Sequence, residues 1–249
     1  MGFLDFIFGK KDTEVSISYT VTTTSTFTEP ADTKANKLAK EATKLKKEKK
    51  YKEALNKFLE AIKADGSEDF SVQLELRLPM YYQLLGRRDD AWGALQDLSH
   101  KYNKPSDQSR IYDKMRLHLQ KEKSHMGAIA HGIFAFIMTT QGHQELVYSN
   151  LQILDEYKQR GIDPKVVNES LKMDIDRMKN NYSNKVVSDM LEPLLKKANM
   201  EDMKKPLMSG IMAIGNKIQN NRHRANYIEV HDICKAVFTK YGYLNRRSE

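Results

Sequence analysis

Residues 35–66 read ANKLAKEATKLKKEKKYKEALNKFLEAIKADG, and the spacing of small and apolar residues in this stretch decides the fold class. Leu38, Ala42 and Leu45 recur at four- and three-residue intervals and share one helix face. Past a lysine-rich turn, Ala54, Leu55, Phe58, Ala61 and Ile62 form an answering stripe. Small residues sit where two backbones must approach, so the stretch predicts an antiparallel helical hairpin. Asp32 or Thr33 supplies the side-chain oxygen that caps the first helix. Asp65-Gly66 stops the second, because glycine enters the left-handed region without a Cβ penalty.

A second, less regular copy follows. Leu84-Leu85-Gly86-Arg87-Arg88-Asp89-Asp90-Ala91-Trp92 repeats the turn logic of the first hairpin, with Ala91, Leu95 and Leu98 on its second helix. Leu78, Pro79 and Tyr82 lie on its first helix, where Pro79 lacks an N–H and predicts a kink. The pattern over residues 35–103 resembles the tetratricopeptide repeat, a helix–turn–helix unit of about 34 residues. Leu38 stands at the repeat's Trp position, Ala42 at its first small residue and Leu45 at its Tyr. Ala54, Phe58 and Ala61 match the second helix, Gly66 replaces the closing Pro, and Glu41 departs from the usual Leu.

That resemblance implies a binding face lined by the first helix of each unit. The matching positions are Asn36, Ala39, Thr43, Lys46 and Lys47, then Gln73, Leu76, Met80 and Gln83. The subset of the family that clamps a chaperone C-terminal carboxylate needs Lys and Asn where this chain has Ala39 and Thr43, so that ligand is not implied. A face basic at one end and apolar at the other suits an acidic or amphipathic peptide of a partner protein.

The remaining chain is also helical in pattern. Residues 105–160 read as three helices: 106–123, 125–140 and 143–160. Within them Met126–Met138 (MGAIAHGIFAFIM) is apolar, but a membrane span needs roughly 20 residues, so the run predicts a core helix with small residues on one side. Gly161-Ile162-Asp163-Pro164 marks a break, followed by helices over 164–180, 183–198, 204–220 and 225–241. Residues 1–32 differ from all of this. Phe3, Leu4, Phe6, Ile7 and Phe8 form an aromatic tip that suits a partner groove or a membrane surface. Val15, Ile17, Tyr19 and Val21 alternate with strand period, and a Thr/Ser linker follows. The fold class is therefore all-α: tetratricopeptide-like hairpins continuing into an α-solenoid or helical bundle, with a flexible N-terminal arm. The expected division is an arm over 1–32, repeats over 33–160 and a C-terminal helical region over 161–249.

Composition narrows the function classes. The 249 residues carry a formal charge of +8 at pH 7 and one cysteine, Cys234. A single cysteine allows no internal disulfide and suits the reducing cytoplasm. No secretory signal is read, because Lys10 and Lys11 follow the apolar tip instead of preceding it. His118, His125, His131 and His143 lack metal-ligand spacing, and the GIMAIG stretch at 210–215 lacks the strand and the Lys-Ser/Thr of a phosphate loop. No cofactor or metal is expected. One pattern with catalytic chemistry is Arg224 and His231, seven positions apart in the chain. Their spacing resembles the motif of the helical HEPN ribonucleases, which implies a His for proton transfer and an Arg for phosphate charge on RNA; Ala225 departs from the polar residue usual there. Lys44, Lys46, Lys47, Lys49, Lys50 and Lys52, with a second basic pole at 221–224 and Arg246-Arg247, admit a nucleic-acid partner. Neither cluster interleaves with aromatics as single-strand stacking surfaces do. The leading expectation is a non-catalytic cytoplasmic adaptor. An RNA-directed protein and a peripheral membrane adaptor using residues 3–8 are the alternatives.

Overall fold

The computed structural model describes residues 33–221 and 223–243, with the side chain of residue 221 left out. The expectations placed on the aromatic tip (Phe3, Leu4, Phe6, Ile7, Phe8), on the strand-like segment and on the arm lie outside the described residues. Within them every regular element is helical. The chain divides into two compact units, residues 1–101 and 102–249. The break expected at Gly161 is the end of a helix, and it lies inside the second unit.

The first unit holds α1 (Lys34–Lys47), α2 (Tyr51–Ile62), α3 (Val72–Glu75), α4 (Arg77–Leu84) and α5 (Arg88–Lys101). Thr33 caps α1, its Oγ1 accepting from the Asn36 amide at 3.2 Å. Ala35, Ala39 and Ala42 form a fully buried stripe on α1. It packs against Ala54, Leu55, Phe58 and Ala61 of α2, so alanine is the contact residue on both sides. The Phe58 ring meets Phe70 at 6.3 Å and Tyr81 of α4 at 5.4 Å, which carries the core into the next hairpin. Ala39, expected on the binding face, is buried in this core.

The α1–α2 turn closes without glycine. Lys49 is left-handed at φ 62°. The Lys50 amide reaches back to the Leu45 carbonyl and the Lys49 amide to Lys46, both at 3.0 Å. That is a complete Schellman stop, with a lysine in the position that glycine favours. The second hairpin opens in two pieces, because Pro79 cannot donate to the Glu75 carbonyl. The helical run breaks at Leu76, which joins α3 to α4.

The second unit holds α6 (Pro105–Lys121), α7 (His125–Arg160), α8 (Lys165–Asn181), α9 (Asn184–Lys196), a 3-10 turn (Glu201–Met203), α10 (Lys204–Asn221) and α11 (Tyr227–Lys240). α7 is central. It touches α6, α8, α9, α10 and α11. Its run Ala128–Met138 is buried throughout, as a core helix requires. α6 and α9 both close on Gly132, where an added Cβ would sit 2.8 Å from Arg116 Cδ and 2.9 Å from Leu194 Cδ1.

The two helices expected over 125–140 and 143–160 are one helix of 36 residues. Gly142 does not stop it. Glycine in a helix costs about 1 kcal/mol relative to alanine. Packing outweighs that here: Gln141 and Gln144 flank the glycine, are buried, and donate to backbone carbonyls of His223 and Ile218. The boundaries expected for α8 to α11 hold to within two residues, apart from a redistribution at residue 164. Pro164 precedes α8 instead of opening it, while Asp163 Oδ1 accepts from the Lys165 amide at 3.0 Å.

Candidate partner-binding face

The face expected to bind is built where α1 and α4 lie side by side. Arg77 Nη1 donates to Thr43 Oγ1 at 2.7 Å, and Lys46 Nζ lies 3.7 Å from Met80 Sδ. Both pairs have the same separation in sequence, 34 residues. A constant offset along two helices means that they run parallel. Each is the first helix of its hairpin, so the second hairpin repeats the direction of the first.

The seam therefore brings together Thr43, Lys46 and Met80 of the expected set and adds Arg77, which the sequence reading passed over. All four are half-buried. Lys47 is exposed beside them, and Gln83 lies one turn beyond Met80, half-buried. Asn36 lies two turns before Thr43 on α1, half-buried, with its backbone amide used by the cap. Gln73 sits exposed on α3, before the break. Leu76 is a correction: the break at α3–α4 turns it inward, and its side chain is 9% exposed, too little to serve a partner.

The chemistry of the seam is cationic. Thr43 Oγ1 donates to the Ala39 carbonyl at 2.9 Å, which leaves its oxygen lone pairs to accept from Arg77. Met80 offers Lys46 only a thioether, a weak acceptor. Among the described residues no carboxylate pairs with Lys46 or Arg77, although carboxylates pair with Lys50, Lys57, Arg87 and Lys101 in the same unit. The apolar end is supplied by Met80 and the partly buried Tyr82 and Leu85.

The catalytic alternative lies in the second unit. Arg224 is in the loop before α11 and donates to the Asn103 carbonyl. His231, on α11, is exposed, with Nδ1 3.6 Å from Asp232 Oδ1. Among the described residues no hydrogen bond or ion pair joins the two. Within the basic pole, His223 is also engaged: its Nε2 lies 2.7 Å from Glu229 Oε2, and Glu229 Oε1 in turn lies 2.8 Å from Lys217 Nζ.

The histidines group differently from expectation. His118 is on α6, while His125, His131 and His143 share α7. His131 is buried against Tyr112 of α6 and Tyr227 of α11, with ring centroids at 5.5 and 4.7 Å. Burial lowers its pKa to about 4. Burial likewise pushes the Cys234 thiol up to about 12, so its thiolate is scarce at neutral pH and the side chain acts as a small apolar residue. Among the described residues no group of three or more His, Cys, Asp or Glu is arranged to hold a metal ion, and no helix is long and apolar enough to cross a membrane.

Compared with known proteins, the chain matches no family model, no curated protein and no solved structure.

Proposed function

We propose that the protein is a non-catalytic adaptor of the cytoplasm that binds a segment of a partner protein across α1 and α4, in the manner of a tetratricopeptide repeat. The observation that carries this reading is the parallel pairing of two first helices at a constant offset, through Thr43–Arg77 and Lys46–Met80. That pairing sets polar, cationic and apolar side chains side by side on a rigid two-helix surface. An extended or helical segment with acidic and apolar residues complements it in charge and in hydrophobicity. Rigidity matters, because a face held by buried alanine and aromatic packing loses little side-chain and backbone freedom on binding.

The test is affinity capture from native cytosol with the full chain as bait, with and without nuclease. It is repeated with the double variant Lys47→Glu/Gln83→Glu, which alters the face at an exposed and a half-buried position. A stoichiometric, nuclease-resistant partner that the double variant loses supports the adaptor. Material released entirely by nuclease would replace it with a nucleic-acid binder.

A further inference from the structure

We infer that the α1–α4 seam is an oxyanion site, and that the partner segment it recognises presents a carboxylate or phosphate side chain to Arg77 and Lys46 together. This rests on the reading of α1–α4 as the partner-binding face and names what that face selects.

The seam has two rungs. On the first, a cation of α4 (Arg77) faces a neutral group of α1 (Thr43); on the second, a cation of α1 (Lys46) faces a neutral group of α4 (Met80). On each helix the rungs are three residues apart, so neighbouring side chains stand about 5–6 Å apart at Cβ. The two cations therefore lie one turn apart on facing helices, each half-buried, and among the described residues no carboxylate pairs with either.

Both cations are left on neutral partners. Elsewhere in this unit the chain answers cations with carboxylates, as in Lys101–Glu75 at 2.5 Å and Arg87–Asp90 at 2.8 Å. In the seam it supplies a hydroxyl and a thioether instead. Thr43 is committed to Ala39 as a donor, so it serves Arg77 only as an acceptor, and it uses one of the five guanidinium N–H groups. Arg77 keeps guanidinium donors beyond the one given to Thr43, and Lys46 keeps two beyond the one directed at Met80 Sδ. An oxyanion with two or three oxygens placed between the rungs takes charge-assisted hydrogen bonds from both sides. A neutral amide or hydroxyl accepts fewer of them and cancels no charge.

The site is tested on the full 15N-labelled chain, titrated with three small probes: N-acetylphosphoserine methylamide, N-acetylglutamate methylamide and N-acetylglutamine methylamide. Two double variants carry equal losses of charge. Arg77→Gln/Lys46→Gln removes the seam cations, and Lys44→Gln/Lys52→Gln removes exposed ones nearby. The expected result is saturable shifts at the amides of Thr43, Lys46, Arg77 and Met80 with an anionic probe and not with the glutamine probe. Loss of two charge-assisted contacts weakens that binding roughly tenfold or more in the seam variant, and the exposed-lysine variant stays within about twofold, as screened surface charges should. Whichever anionic probe binds more tightly identifies the source of the oxyanion. Overlaid amide spectra of the two variants establish that both keep the fold.

Equal weakening by both variants would mean diffuse attraction to a basic surface and would overturn the inference, as would equal binding of the neutral probe or no saturable shift. A partner captured from cytosol whose binding ignores Arg77→Gln/Lys46→Gln would overturn the anion site while leaving the adaptor standing. Probe binding at the seam with no partner captured would leave the anion site and remove the adaptor.

Discussion

His131 shows how a single buried residue ties stability to pH. Its Nδ1 lies 2.7 Å from the Gly127 carbonyl, which can only accept, so Nδ1 carries the proton and the neutral ring is complete. Tyr227 Oη, 3.2 Å away, also faces Nδ1. A second proton would have to enter at Nε2 and place a charge in a buried ring stack, and the nearby His231 ring adds to that opposition. The folded pKa is about 4 against an ordinary 6.5, so the unfolded chain binds the extra proton first. Stability is then full above about pH 6.5 and falls as pH drops toward 4. One such group loses about 2 kcal/mol between pH 7 and pH 5. Urea melts across that range should show the loss, and His131→Phe should reduce the slope whatever it does to absolute stability. Some slope remains, because burial also lowers the pKa of His143. A second residue-scale test is Gly66, at φ 87°, where an added Cβ would lie 2.6 Å from Thr33 Cβ, on the residue that caps α1. Gly66→Ala is expected to cost about 2 kcal/mol or more, since it adds left-handed strain to a clash with a cap; equilibrium unfolding checks it.

At the scale of elements, helix ends govern where hairpins close. α1, α6 and α9 stop with a non-glycine residue in the left-handed region: Lys49 at 62°, Lys123 at 58° and Asn199 at 52°. Each shows the paired back-bonds of a Schellman stop. α4, α7 and α11 end the same way with Gly86, Gly161 and Gly242. The glycine ends were readable, since glycine alone pays nothing for positive φ. The lysine ends were not, because a lysine in a basic run carries no turn signal of its own. Lys49→Gly should therefore stabilise the α1–α2 hairpin by up to about 1 kcal/mol, the left-handed penalty less glycine's greater freedom in the unfolded chain. A rise in denaturation midpoint at constant m-value would show it. Gly142 is the opposite case, a glycine that ends nothing, because buried glutamines on either side hold α7 continuous. Pro79 behaved as its chemistry requires and split one expected helix into α3 and α4.

At the scale of the whole molecule, the chain is two cores in series. The first is alanine-and-aromatic packing around Phe58, and the second is layered around α7. Separate cores should report separate damage. Gly215 in α10 has Tyr182 ring atoms 2.4–2.8 Å from where a Cβ would stand. Gly215→Ala should therefore loosen the second unit by about 1–3 kcal/mol through overpacking. Hydrogen exchange should then quicken in α9 to α11 while α1 and α2 keep their protection, and Gly66→Ala should give the reverse pattern.

The hairpin over 35–66, its cap at Thr33, the helical character of the described chain and the buried run of α7 were determined by sequence, because each is set by neighbours within a few turns: small residues at helix spacing, a cap oxygen, an apolar stretch too short to span a membrane. The expected binding face was legible as a set of positions and only in part as a surface. Thr43, Lys46 and Met80 could be named from periodicity. That Ala39 and Leu76 turn inward, and that Arg77 joins the seam, depended on how α1 and α4 pack across a break three residues before Pro79. The tertiary structure alone decided the parallel register of those helices, the continuity of α7 through Gly142 and the division of the chain after Lys101. Each is a contact between residues far apart in sequence, whose energy no local pattern records.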